Sequence, residues 1–355
     1  MEFGMQFFPD VRPSEKSAAQ YFDESLRLVE WCDVYGYSHV RIVEHYFHRW
    51  GGYSPNPIVF LTAASQRSRR ARLITGAVLP VFNHPLKLAG ELAMLDAISH
   101  GRLEIGFARA FLPYEFRHFG VSMDESVARF EVGIAQVREL LERDVVSSNG
   151  KFHSYESVTS LPRPTQRPRP PFWIAAVGTP QSFERAGKLG YNLMAIPGVG
   201  SSPAELVQIY RDAWRSAGHA GKPGVMLACF MYCHEDREEA IRIAKPRIER
   251  HFGSIADAMS EHAGKQLSAD YKNYDKMIEK VRAETFESQL HHHAAFVGSP
   301  TDVIEQLQEF DRVLGSPDHA SLQVNFNDMS YADAEQSVRL FGEKVMPHFA
   351  ALRAR

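Results

Sequence analysis

The sequence predicts an α/β fold, a (β/α)8 TIM barrel, on three observations. Eight short apolar segments recur along 355 residues. Longer amphipathic segments separate them. Most of the eight are continuously apolar rather than alternating, the pattern of parallel strands covered on both faces by helices.

The strand segments run Phe3–Phe8, His39–Val43, Arg72–Val78, Leu103–Ala108, Phe172–Val177, Tyr191–Ile196, Val225–Tyr232 and Leu322–Phe326. Helices are expected over 16–35, 57–69, 84–99, 123–143, 179–189, 202–218 and 300–314, with a closing helix over 331–352. Asp124-Glu125, Ser202-Pro203 and Ser299-Pro300-Thr301-Asp302 carry helix-start chemistry. Such a barrel needs about 250 residues, so two insertions are expected, after strands 4 and 7. Residues 144–171 read as a polar hairpin followed by the proline-rich Leu161 to Pro171, an extended lead into strand five. Residues 250–292 are charged, contain His291-His292-His293 and fall on the loop face, as a mobile lid or a surface helical excursion. No linker or repeat divides the chain, so 1–355 is expected to form a single barrel domain.

A composition of 44% hydrophobic and 11% aromatic residues can bury a substantial core. A net charge of -3 offers no footprint for nucleic acid or an anionic membrane. No apolar run approaches the roughly 20 residues that cross a bilayer. The start, Met1-Glu2-Phe3-Gly4-Met5, has no basic leader, so the cytoplasm is the expected compartment. Cys229 and Cys233 lie on one strand, roughly 13 Å apart, too far for a disulfide, and are expected to be core thiols.

In a barrel, the C-terminal ends of the strands converge on one face. Glu44 and His45 stand at the second of these ends, Thr75, Gly76 and Ala77 at the third, Arg109 at the fourth, and Ala176 and Gly178 at the fifth. A histidine where a rigid strand opens into a loop is placed for proton transfer near neutral pH. Arg109 and the turn Gly178-Thr179-Pro180-Gln181-Ser182, opening a helix, have the makings of a phosphate site. An N-cap turn built on Thr179 and Ser182 reads identically. Phe7, Phe8, Trp50, Phe82, Phe111 and Tyr114 are expected to rim an apolar substrate site. His45 and His48 form an i, i+3 pair without a third ligand nearby, so no metal is expected. His84, before Pro85, is expected to cap a helix. Gly106-Phe107-Ala108-Arg109 is not a dinucleotide turn, and no second βαβ domain is left over.

Several segments together resemble the bacterial luciferase-like flavin monooxygenases: Val43-Glu44-His45-Tyr46-Phe47, Pro55-Asn56-Pro57, Val78-Leu79-Pro80 and His84-Pro85, then Leu95 to Arg102, Gly106-Phe107-Ala108-Arg109 and Phe116 to Gly120, then Phe296-Val297-Gly298-Ser299-Pro300 and Val345-Met346-Pro347. The resemblance implies reduced FMN (FMNH2) at the strand C-termini and O2 as co-substrate. It implies oxidation, through a C4a-(hydro)peroxyflavin, of a small organic compound of apolar or natural-product type. By the same resemblance His45 is the acid/base group, with Glu44 orienting it or pairing with a neighbour. Arg109 and the turn Gly178 to Ser182 hold the phosphate. Thr75-Gly76-Ala77 lies against the isoalloxazine ring, with a non-prolyl cis peptide expected between Thr75 and Gly76. A separate NAD(P)H:flavin reductase is implied, and a homodimer through helices 57–69 and 84–99. Ala108 stands where the luciferase alpha chain has a reactive cysteine, so light emission from an aldehyde is not expected. The alternatives are an F420-dependent dehydrogenase on the same barrel, or a non-catalytic flavin-binding partner subunit.

Overall fold

A computed structural model describes residues 1–197, 202–261 and 274–353. The chain opens with β1 (Glu2–Phe7), α1 (Ala18–Tyr35), β2 (His39–Ile42), α2 (Pro57–Ser65), β3 (Arg72–Thr75), α3 (Pro85–Ile98) and β4 (Leu103–Phe107). A short α4 (Pro113–His118) and α5 (Ser126–Glu142) precede the antiparallel hairpin β5 (Val146–Asn149) and β6 (Ser154–Val158). Then follow β7 (Phe172–Ala176), α6 (Pro180–Leu189), β8 (Asn192–Ala195), α7 (Pro203–Ser216) and β9 (Val225–Cys233). The helices α8 (Arg237–Ser260), α9 (Tyr274–Arg282) and α10 (Phe286–His291) lead to β10 (Ala295–Gly298). The chain ends through α11 (Pro300–Val313), β11 (His319–Asn325), α12 (Tyr331–Leu340), a π turn over 341–345 and α13 (Met346–Arg353).

The parallel strands run β1-β2-β3-β4-β7-β8-β9-β11, and β11 pairs back with β1, closing the barrel. The eight barrel strands match the eight apolar segments. β10 is a ninth strand that sequence reading passes over. It is four residues long and pairs only with the upper half of β9, Phe230 to Cys233. Residues 250–292, expected as a lid or an excursion, are helical in α8, α9 and α10, while 262–273 lie outside the described residues. No described helix is long and apolar enough to cross a membrane.

Some start signals work through side-chain caps, whereas Ser202 ahead of Pro203 in α7 and Glu125 ahead of α5 make no side-chain cap hydrogen bond. Asn56 caps α2 ahead of Pro57, and Ser299 with Asp302 forms a capping box ahead of Pro300. The His84 ring accepts the Leu86 N–H at 3.3 Å, the capping role expected of it. Leu88, Leu92 and Leu95 of α3 are buried within the chain.

Side-chain alternation along β1 sorts the layers. Phe3 packs on Phe341 and Phe349 of the C-terminal helical segment, and Phe7 packs on Phe60 of α2. Gly4, Gln6 and Phe8 therefore face the barrel interior. Phe7, expected in the substrate rim, is instead behind the sheet, because odd positions of this strand point to the helices. An interior cluster of Ile74, Ala77, Trp173, Met194 and Met226 fills the barrel. At its N-terminal end lies a cavity of about 730 Å³ lined by Glu2, Arg72, Glu104, Lys222, Asp318 and His319 among others. These charges pair with one another, Arg72 with Glu2 at 2.6 Å and with Glu104 at 3.4 Å. That end is opposite the face where His45 and Arg109 emerge.

Candidate active site

His45 follows β2 at the C-terminal face and is held on three sides. Its backbone N–H donates to Ser54 O at 3.1 Å. Its ring centroid lies 4.5 Å from that of Trp50, 5.8 Å from Phe8 and 6.2 Å from Phe111. Nδ1 lies 3.1 Å from Oε1 of Glu115, a fully buried residue in the first turn of α4. The same oxygen accepts the Tyr46 N–H at 3.0 Å. A carboxylate accepts only, so it places the imidazole proton on Nδ1 and leaves Nε2 as the basic nitrogen.

Glu44 does not orient His45. Adjacent residues of an extended segment point to opposite sides, and Glu44 turns outward to accept Leu79 N–H at 3.1 Å, Asn83 Nδ2 at 3.0 Å and the Tyr46 hydroxyl. Burial, set against these three donors, raises its pKa to about 8. A carboxyl whose folded pKa exceeds the unfolded value of 4.5 binds more protons when folded. Stability therefore falls as pH rises from the unfolded value and levels off above the folded one. Thermal melts of Glu44→Gln and the parent are expected to diverge as pH rises from 5 to about 8, the variant gaining relative stability by on the order of 1 kcal/mol per pH unit, and to run parallel above it. Parallel curves throughout would show that Glu44 does not titrate in this range.

A second chain of buried polar groups backs the aromatic wall. The Trp50 indole N–H donates to Nε2 of His251 at 3.2 Å, so Nε2 is an acceptor and the ring carries its N–H on Nδ1. That nitrogen lies 3.5 Å from Oδ2 of Asp10. Burial pushes the Asp10 carboxyl up, but His251 and Arg49 outweigh it and hold the pKa below the usual range. Asn327 also donates to Asp10 Oδ2, at 3.0 Å.

The segment after β3 forms one wall. Ile74 pairs with Glu104 and Val78 with Phe107, so β3 advances four residues while β4 advances three. The resulting bulge is clasped by Thr75, whose Oγ1 donates to Gly106 O at 2.9 Å and accepts Gly106 N–H at 2.8 Å. The cis peptide joins Gly76 and Ala77, one residue later than expected. The Thr75-Gly76 amide still belongs to the regular ladder, its N–H donating to Ile42 O at 2.8 Å. Thr75 thus spends its hydroxyl on β4. Ala108 and Ala175, packed against the interior cluster, are partly exposed.

β4 and β7 are neighbours, with Phe107 opposite Ile174, so Arg109 and the turn 178–182 leave the sheet side by side. Gly178 has φ +67°, and Ala176 pairs with Ala195. Thr179 occupies the N-cap position of α6, yet its side chain makes no cap hydrogen bond. Its Oγ1 meets Ser182 Oγ at 2.7 Å instead. The first-turn N–H groups thus lack the side-chain cap that the sequence could equally have described, and they suit an anion.

The structure gathers Phe8, Trp50 and Phe111 around His45. Phe82 stacks on Phe119 at 4.6 Å and meets Phe116 edge-on at 5.0 Å, in a separate cluster with Tyr46. Tyr114 is buried 5.9 Å from the His48 ring, centroid to centroid. Neither joins the His45 group, since each follows the packing of its own loop or helix. Glu115, Asp10 and His251 escape sequence reading. Glu115 alone carries a usable signal, a carboxylate between the aromatic residues Tyr114 and Phe116 of a proline-started helix. Among the described residues no group of three or more His, Cys, Asp or Glu side chains could hold a metal.

A model of the luciferase-like monooxygenases matches residues 1–316. The crystal structure of monooxygenase RslO1 from Streptomyces bottropensis is 42% identical, superposes with a TM-score of 0.87, and covers 98% of this chain and 100% of its own. The oxygenase component of a flavin-dependent trigonelline monooxygenase from Acinetobacter baylyi is 26% identical over 99% of this chain and 96% of its own length. The oxygenating constituent of 3,6-diketocamphane monooxygenase from Pseudomonas putida, solved in complex with FMN, is 22% identical with a TM-score of 0.80, over 98% of both chains, and shares the fold.

Proposed function

This chain belongs to the luciferase-like monooxygenases, and from that premise we propose that it is the oxygenase of a two-component system. It uses reduced FMN and O2 to oxidise a small organic compound, of apolar or natural-product type. A separate NAD(P)H:flavin reductase supplies the flavin. The observation that carries this reading is the buried His45–Glu115 pair inside an aromatic wall, on the same barrel face as Arg109 and the uncapped start of α6.

Bound reduced FMN supplies the electrons that activate O2. Arg109, Gly178, Thr179 and Ser182 hold its phosphate, and the backbone of Thr75, Gly76, Ala77 and Ala176 lines the ring. The orphaned buried donor Arg41 Nε, directly behind Gly76, is consistent with a polar ring at this wall. His45 moves a proton at Nε2 while Glu115 holds its ring and compensates the charge when Nε2 is protonated. Phe8, Trp50 and Phe111 exclude water and present an apolar surface to the substrate. The relatives named for trigonelline and diketocamphane act on compact organic molecules, which supports that substrate class. A homodimer is proposed through α2 and α3, where Val59 and Met94 stay exposed; the cytoplasm is the proposed compartment.

The test is a reductase-coupled oxidation under 18O2 across candidate substrates, read by mass spectrometry. Gain of a single labelled oxygen atom is expected. Reduction of F420 by an alcohol, with no response to FMN, would replace this reading with the dehydrogenase.

A further inference from the structure

A lone cation lies buried in the barrel beneath the Gly76 wall. Gln6 faces the interior, and its register partners are Gln323 on β11 and Arg41 on β2. Register partners on neighbouring strands share a face, so the three side chains form a row inside the barrel, and all are buried. Arg41 donates to Gln6 Oε1, and to Gly76 O at 3.0 Å. Its Nε has no partner, and neither has Nε2 of Gln323. Among the described residues no carboxylate forms an ion pair with Arg41. Burial lowers its pKa to about 10, which leaves it charged at neutral pH.

Such a charge is costly. A buried ion without a counter-ion is strongly destabilising, and an apolar side chain of similar volume would pack the same space without that loss. The guanidinium nevertheless reaches Gly76, the residue just past the C-terminal end of β3. A Cβ on Gly76 would come within 2.2 Å of Arg41 Nε, so the cation stands directly behind the wall whose neighbour Ala77 packs with the partly exposed Ala108 and Ala175.

We propose that Arg41, flanked by Gln6 and Gln323, supplies the positive charge that makes this site prefer the anionic ring of reduced flavin over the neutral oxidised ring. The inference rests on the reduced-flavin reading above and adds the residue that distinguishes the two redox states. Arg41 acts from behind the Gly76–Ala77 backbone, as a fixed charge in a low-dielectric interior, where a single charge at several ångströms still alters affinity by about tenfold or more.

The experiment measures anaerobic dissociation constants for oxidised and reduced FMN, and for oxidised and reduced riboflavin, with the parent chain, Arg41→Gln and Arg41→Lys. Riboflavin lacks the phosphate, so its ratio reports on the ring alone. Arg41→Gln is expected to weaken the reduced forms at least about tenfold more than the oxidised forms, which lowers the potential of the bound flavin by about 30 mV. Arg41→Lys keeps the charge and is expected to hold the parent ratio within about threefold. The melting temperature of Arg41→Gln is expected not to fall, because a lone buried charge has been removed. Equal weakening of both redox states in Arg41→Gln, with either flavin, would overturn the proposal and mark Arg41 as structural. A parent chain that binds neither flavin would instead overturn the flavin reading itself.

Discussion

Replacing His45 with glutamine is expected to lower coupled oxygenation by about a hundredfold or more, with FMN affinity changed less than threefold. Consumption of reduced flavin is expected to continue, releasing H2O2 in place of product. The magnitude follows from position. Nε2 is the imidazole nitrogen not committed to Glu115 Oε1, and the ring it belongs to packs against Phe8, Trp50 and Phe111. Glu115→Gln is expected to produce a smaller loss of the same kind, about tenfold. Its amide can turn an N–H toward Nδ1 and so reverse the tautomer, the fault that an aspartate-to-asparagine change produces in hydrolytic triads. Because the two residues act as a unit, the double variant is expected to be no worse than His45→Gln alone. Product and H2O2 yields per reduced flavin, measured side by side, check all three. Full coupling in His45→Gln would remove the imidazole from the chemistry.

The second large effect is on stability. Gly106→Ala would set a Cβ 2.2 Å from the Thr75 carbonyl oxygen and 2.5 Å from Met194 Cε. Methionine can yield, but the Thr75 backbone cannot without opening the clasp between Thr75 Oγ1 and Gly106. A loss of about 3 kcal/mol or more is expected, seen as a melting temperature lower by several degrees and weakened FMN binding, since β4 leads directly to Arg109. Gly253→Ala is the control: nothing lies within 4 Å of its Cβ inside α8, so helix propensity alone should make it neutral or stabilising by up to about 1 kcal/mol. Equal melting temperatures for Gly106→Ala and the parent would show that β3 and β4 can separate without cost.

The distinction between these residues bears on what a chain reveals before it folds. Strand periodicity located all eight barrel strands, because burial on both faces demands continuous apolarity. It passed over β10, whose four residues complete only the upper half of β9. Alternation also separates Phe8 from Phe7, yet both read as pocket aromatics until the register with β11 and β2 and the contact with Phe60 are known. The same alternation turns Glu44 away from His45 and leaves the orienting role to Glu115. The cis bond falls between Gly76 and Ala77, one residue from its expected place.

By itself the sequence determined the barrel and which strand ends carry the candidate residues His45 and Arg109, since each follows from local periodicity or from the end of a strand. Only the tertiary structure decided which carboxylate holds the imidazole, which aromatics enclose it, and that Arg41 lies buried beside Gln6 and Gly76, with no carboxylate against it among the described residues. Those three facts join residues from separate strands, loops and helices, as Glu115 is joined to His45. Hydrogen bonding and desolvation act through space, so no pattern along the chain encodes them.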